Sequence, residues 1–203
     1  MMINSISIHK LTLGMLETNC YIVSKKGEKE AFLIDPGADG DTIKETLQKL
    51  GVTAVAVLLT HAHFDHTGAL ADFSDLPIYI GEKEAPCLNN PSYHLGRMVG
   101  DRNPRPDPTT LLKDGDSFSV AGMDISVIFT PGHSMGGVCY LVDDAVLFSG
   151  DTLFYQGRGR DDFPGGDPQT LTDSLQKLFS LEKDYPVYPG HGPSTRLYEE
   201  KMR

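Results

Sequence analysis

The sequence predicts an α+β fold in which two packed β-sheets carry helices on their outer faces. Two observations lead there. Short strand-like runs fill both halves of the 203-residue chain, and each half also holds a stretch at helical spacing. Residues 52–60 are a nearly continuous apolar run rich in β-branched side chains, as expected of a strand covered on both sides. No linker-like composition shift and no repeat of about 20–50 residues interrupts the chain, so a single domain over residues 1–203 is expected.

Taken in order, residues 5–13 alternate through Ile6 and Ile8 toward Leu11 and Leu13, and 20–23 and 31–34 are short apolar runs on either side of the polar turn 25–29. These read as strands joined by a hairpin. Asp35-Pro36-Gly37 ends the third strand, and 39–50 then sets Ile43, Leu47 and Leu50 on one helical face before Gly51 stops it. The apolar run 52–60 delivers the chain to His61. A helix is expected to begin near His66 and include Leu70, followed by a strand at 77–80 and a helical turn or two over 82–88. Residues 91–108, with Pro91, Pro104, Pro106 and Pro108, keep no periodicity and predict a long loop, a feature that is often functional. Strands resume at 117–120, 123–129, 138–142 and 145–148. A helix over 168–181 aligns Leu171, Leu175, Leu178 and Phe179, 186–189 is a brief strand, and 195–202 a closing helix.

Charge narrows the function classes. Eighteen Lys+Arg against 28 Asp+Glu give a net charge of −10, a field that repels phosphate backbones and anionic lipid. Neither nucleic acid nor membrane is expected as a partner, and nothing implies an obligate protein partner. The longest apolar stretch, 54–59, is far short of the roughly 18 residues of a membrane helix. The opening Met1-Met2-Ile3-Asn4-Ser5 lacks the charged-then-apolar order of a signal peptide, so a cytoplasmic protein is expected. Cys20, Cys87 and Cys139, odd in number and unpaired in spacing, predict free thiols.

The densest chemical signal is His61-Ala62-His63-Phe64-Asp65-His66, three histidines and an aspartate in six positions directly after a buried strand. Imidazole and carboxylate donors together suit zinc, iron or manganese. If 61 and 63 are extended, their side chains share one side of the chain, while Asp65 and His66 fall on the turn into a helix and can address a second point. Thr130-Pro131-Gly132-His133, Ser149-Gly150-Asp151 and Pro189-Gly190-His191 each set one more donor beside glycine after a short apolar strand. Seven donors exceed one tetrahedral ion but suit two ions that share Asp151 and a water-derived oxygen. Two divalent ions are therefore expected, zinc first, with iron or manganese also compatible. His9 and His94 stand outside this pattern; His94 reads as a solvated loop residue.

This order, His61, His63, Asp65, His66, His133, Asp151 and His191, resembles the metallo-β-lactamase superfamily over nearly the whole chain. The resemblance implies a four-layer αββα sandwich with the metals at one sheet edge. It implies one ion on His61, His63 and His133, a second on Asp65, His66 and His191, and Asp151 bridging them. Asp35, in Leu33-Ile34-Asp35-Pro36-Gly37, resembles the superfamily's first motif, where it organises ligands rather than binding metal, and Asn19 fits the opening strand.

Gly150-Asp151-Thr152-Leu153-Phe154, followed by residues 159–167 (Gly-Arg-Asp-Asp-Phe-Pro-Gly-Gly-Asp), is similar to the compact glyoxalase II branch, the hydroxyacylglutathione hydrolases. That similarity implies cleavage of S-D-lactoylglutathione or a related anionic acyl thioester by a hydroxide held between the ions and oriented by Asp65 and Asp151. Arg160, with Arg158 near it, stands where longer members hold the glutathione moiety. With residues 192–203 following His191, no counterpart of the C-terminal helical domain of those enzymes is expected. Persulfide dioxygenases share the scaffold and a similar Gly-Arg-x-Asp-Phe text, which would leave a single iron on His61, His133 and Asp151. A lactone or phosphodiester hydrolase is a further alternative, the latter disfavoured by the −10 charge.

Overall fold

The structure, a computed structural model, describes residues 5–101 and 103–202. The reading of the first four residues as lacking a signal sequence lies outside the described residues. Two six-stranded mixed sheets face each other. The first runs in chain order: β1 (Ile6–Leu13), β2 (Thr18–Lys25), β3 (Glu30–Ile34), β4 (Thr53–Leu58), β5 (Ile78–Gly81) and β6 (Thr110–Leu112). The second contains β7 (Ser117–Val120), β8 (Met123–Phe129), β9 (Val138–Val142), β10 (Val146–Gly150), β13 (Pro186–Pro189) and β14 (Thr195–Arg196), in the order β14-β13-β10-β9-β8-β7. A small hairpin, β11 (Leu153–Phe154) with β12 (Gly157–Arg158), stands between β10 and the following helix.

Side-chain alternation builds three hydrophobic layers from these strands. Tyr21, Val23, Phe32, Ile34, Ala56 and Leu58 point into the space between the sheets and meet Ile125, Val127, Tyr140, Val142 and Phe148. Their neighbours Cys20, Ile22, Leu33, Val57 and Leu59 face the other way, under Ile43 and Leu47 of α1 (Gly40–Leu50). On the far sheet Cys139, Leu141, Leu147 and Val187 pack beneath Leu178 of α4 (Pro168–Phe179) and Leu197 of α5 (Leu197–Lys201). The period of two within each strand thus produces the αββα layering. Asp167 caps α4, its carboxylate accepting from Thr170 N at 2.7 Å.

Several predicted elements shift. The helix expected near His66 is the single turn α2 (Phe64–Thr67) followed by a 3-10 turn at Leu70–Phe73, and only Ala85–Cys87 of 82–88 is helical, also 3-10. The long loop contains α3 (Gly96–Val99), bracketed by left-handed Leu95 and Gly100 and too short to show a period. Helix α4 ends two residues early at its Ser180 cap. The closing helix starts at Leu197 because Thr195 and Arg196 pair with β13. Strands β6, β11, β12 and β14 are two or three residues long, below the length at which alternation can be read. Among the described residues no helix is long and apolar enough to cross a membrane.

Candidate metal centre

Strand ends converge on one edge of the sandwich. β3 delivers Asp35, β4 leads into His61 and His63, α2 carries Asp65 and His66, and β8, β10 and β13 lead to His133, Asp151 and His191. Two tyrosine hydroxyls cross the interior and fix these ends: Tyr140 donates to Leu59 O at 2.7 Å and Tyr21 to Pro189 O at 2.6 Å. Asn19 fastens the His191 loop, its backbone N donating to Gly190 O at 2.7 Å and its side-chain amide to Pro189 O and Gly192 O, both at 2.9 Å.

Within this edge the seven predicted donors meet in two groups that share Asp151. His61 Nε2 and His133 Nε2 each lie 3.0 Å from His63 Nδ1. Asp65 Oδ2 lies 3.4 Å from His66 Nε2 and 3.3 Å from His191 Nε2. Asp151 reaches both groups: Oδ2 is 3.5 Å from His133 Nε2 and 3.4 Å from His191 Nε2, and Oδ1 is 3.4 Å from His66 Nε2. A tetrahedral zinc with bonds of about 2.0–2.1 Å has donor–donor edges of about 3.3 Å, the scale of these separations.

The opposite ring nitrogens fix which lone pairs face inward. His133 Nδ1 donates to Arg160 O at 2.6 Å and His191 Nδ1 to Leu16 O at 3.1 Å; a carbonyl can only accept. His66 Nδ1 donates to Asp35 Oδ2 at 2.9 Å. Thr60 Oγ1 gives its proton to Asp35 Oδ2 at 2.6 Å and therefore accepts from His61 Nδ1 at 3.0 Å. With the opposite nitrogens so occupied, four Nε2 atoms are left turned toward the neighbouring donors, where a proton or a metal cation must sit between them. Among the described residues, His66 Nε2, Asp151 Oδ1 and His63 Nε2 are three of the four buried side-chain polar atoms without a hydrogen-bond partner. The donor set therefore fits two metal ions, with Asp35 as the carboxylate that orients His66 and, through Thr60, His61.

The electrostatics agree. Burial pulls His61 well below its ordinary value, helped by the neighbouring imidazoles, and burial with His133 pulls His63 to about 3. Burial would raise Asp65, but His66 and the hydrogen bonds from His191 and Thr18 hold it at about 2. Asp151 is likewise held well below the carboxylate range, burial being outweighed by His66, His191 and His133. His191 rises to about 9 because its two carboxylates outweigh its burial. Both carboxylates are thus ionised at neutral pH.

Glycine is required where the loops cross: a Cβ on Gly190 would sit 2.1 Å from Asp151 Oδ1 and 2.7 Å from His66 Cε1. Above the donors lies a cleft of about 420 Å³, which Arg160 lines. Arg158 does not reach it; its guanidinium holds Asp161 Oδ2 at 2.7 Å and Thr172 Oγ1 at 3.0 Å beside a separate groove next to Leu175 and Phe179. His94 is no solvated loop residue. It is 2% exposed because its carbonyl accepts from Phe64 N at 2.7 Å and its Nδ1 from Gly96 N at 3.1 Å, which docks the long loop onto α2.

Sequence reasoning missed Glu84 and Thr18. Buried Glu84 accepts from Ala62 N at 3.0 Å and Gly136 N at 2.6 Å, tying the His61–His63 segment to the loop after His133. In Gly81-Glu82-Lys83-Glu84 it reads as a surface charge, and nothing local signals its burial. Thr18 Oγ1 donates to Asp65 Oδ2 at 2.8 Å, and Thr18 bridges His191.

Comparison with known proteins agrees with this geometry. Residues 13–191 match the metallo-β-lactamase superfamily, and the chain belongs to that family. It is similar to the probable metallo-hydrolase YqgX of Bacillus subtilis (strain 168), 35% identical over 95% of this chain and 93% of that one. Among solved structures it is similar to the BLEG-1 B3 metallo-β-lactamase, with a TM-score of 0.91, 37% identity and 97% coverage of each chain. It is also similar to TTHA1623 in a di-iron-bound form, with a TM-score of 0.83, 38% identity, and 96% and 97% coverage. Fold, donors and relatives together support a metal-dependent hydrolase of this superfamily.

Proposed function

We propose that the chain is a dinuclear metal-dependent thioesterase of the glyoxalase II type, cleaving S-D-lactoylglutathione or a related acyl thioester. The observation that carries the dinuclear part is the second donor group, Asp65, His66 and His191, joined to the first by the two oxygens of Asp151. A mononuclear iron oxygenase would have no use for it, whereas the di-iron form of TTHA1623 gives a precedent for two ions in a relative. When bound, two divalent ions supply a water acidified to near neutrality and an electrophile for the carbonyl.

The chain's own residues orient that chemistry. Asp65 and Asp151, ionised at neutral pH, can each accept a hydrogen bond from the attacking water and hold its lone pair toward the substrate carbonyl. Asp35 and the carbonyls of Arg160 and Leu16 keep His66, His133 and His191 in the tautomers that present Nε2. A thiolate, with a thiol pKa of about 8.5, departs without a general acid, whereas the amine of an opened lactam must be protonated as it leaves.

The likeness to BLEG-1 favours β-lactam hydrolysis as a second reading. Metal-loaded protein and a His66→Ala variant should be compared on S-D-lactoylglutathione and a chromogenic cephalosporin, with oxygen uptake followed on glutathione persulfide. The proposal expects thioester cleavage that the variant loses. Cleavage of the cephalosporin alone, or oxygen uptake without hydrolysis, would overturn it.

A further inference from the structure

The walls of the cleft above the donors are hydrocarbon. Leu16 comes from the β1–β2 turn, Leu95, Met98 and Val99 from α3 and its approach, and Phe154 and Phe163 from the segment after Asp151. Leu16, Met98 and Val99 are 48%, 73% and 46% exposed, so the apolar surface is concentrated where a ligand enters, as in ligand grooves generally.

The loop bearing α3 is firmly built. Buried Arg105 donates to Asp101 Oδ2 at 2.5 Å, Asn103 O at 2.8 Å and Thr67 Oγ1 at 3.2 Å, and Asn89 clasps the Arg105 backbone through both N and O. Leu95 is held at φ 62°, in the left-handed region that costs an L residue energy, and a Cβ on Gly96 would come within 2.4 Å of the His94 ring. The fold thus keeps Met98 and Val99 at the cleft mouth against both strain and solvent.

Charge in the cleft points the same way. Among the described residues lining it Arg160 is the one Lys or Arg, and its Nε and Nη2 both donate to Asp162, at 2.9 and 2.8 Å, with the guanidinium 4.1 Å from the centre of the Phe163 ring. A carboxylate-bearing thiol carrier such as glutathione meets a cation already paired with Asp162, while a hydrocarbon chain meets these six apolar side chains and Phe64.

We infer that this wall is an acyl-chain subsite and that the preferred substrate is a thioester of a medium-length alkanoic acid. The inference rests on the thioesterase reading and narrows its substrate class.

The test is a series of N-acetylcysteamine thioesters, acetyl to octanoyl, with metal-loaded protein and a Met98→Ser/Val99→Ser double variant whose changes lie at exposed positions. A fully buried methylene is worth about fourfold. On this half-open wall kcat/KM should rise about tenfold or more from butyryl to octanoyl, and the variant should flatten that slope. Hydrolysis with no dependence on chain length would overturn the subsite and leave the thioesterase reading standing.

A second arm separates the two ideas. Binding of the non-hydrolysable thioether N-acetyl-S-octylcysteamine to metal-free protein is measured by calorimetry against its S-ethyl counterpart. The octyl compound should bind at least tenfold tighter, with a negative heat-capacity change, and lose that advantage in the variant. If no thioester is cut, the thioesterase reading falls and this arm alone decides the apolar subsite; equal affinities would overturn it.

Discussion

Replacing Asp35 by asparagine probes the device that orients the metal ligands while leaving all seven donor residues unchanged. Asp35 accepts from Thr60 N at 2.8 Å, Thr60 Oγ1 at 2.6 Å and His66 Nδ1 at 2.9 Å. Asparagine keeps one oxygen for Thr60 N and presents an amide N–H to the other two donors. A hydrogen bond to a charged group is worth about 1.5–3 kcal/mol, so losing two costs up to about 3–6 kcal/mol, less what Thr60 recovers by turning to accept. The unfolding midpoint should fall by up to about 6–24 °C. His66 is then free to turn its ring or change tautomer, and loss of such an orienting partner typically costs 10–100-fold in metal affinity. A zinc titration against a chromophoric chelator resolves two binding steps, and one should weaken by that factor. If both steps kept their affinity, Asp35 would not be setting the ligand tautomer and the reasoning would be wrong.

Metal uptake should also depend on pH. His191 binds its proton up to about pH 9, above its ordinary 6.5, and His66 is also raised, so below about pH 9 an incoming ion must displace a proton. Affinity for the second ion should climb at least tenfold per pH unit as pH rises toward about 9; a flat profile would contradict it. Asp65 and Asp151 add no slope there, being already ionised. Glu84→Ala leaves Ala62 N and Gly136 N without their buried acceptor, at about 1–3 kcal/mol each, so urea unfolding should show a loss of about 2–6 kcal/mol. Gly190→Ala forces a methyl against Asp151 Oδ1, and a shift of about 1 Å there should lower turnover roughly 100-fold while metal content drops below two ions. The three cysteines are free and buried; burial pushes Cys87 up to about 12 and Cys139 to about 11, and raises Cys20 further. A disulfide reagent should label none of them until the protein unfolds.

What the sequence reveals follows from whether a signal is local. The donors were legible because the His61–His66 run puts four of them in one segment and His133, Asp151 and His191 each follow a glycine at a strand end. The helix over 39–50 and the strand 123–129 were legible from period alone, and 138–142 from its unbroken apolar run. Glu84 was not, because its role comes from two backbone donors 22 and 52 residues away. The burial of His94 depends on Phe64 and on the turn at Gly96, which sequence spacing does not encode. The differing fates of Arg158 and Arg160, two residues apart, follow from the β11–β12 hairpin, too short to leave a pattern.

If two ions share Asp151 as proposed, the chain has a fixed metal stoichiometry. Protein purified without added metal, then saturated with zinc or iron and freed of unbound metal by gel filtration, should hold about two ions per chain by elemental analysis, falling to about one in a His66→Ala variant. A single ion per chain in the unaltered protein, undiminished by His66→Ala, would contradict the account.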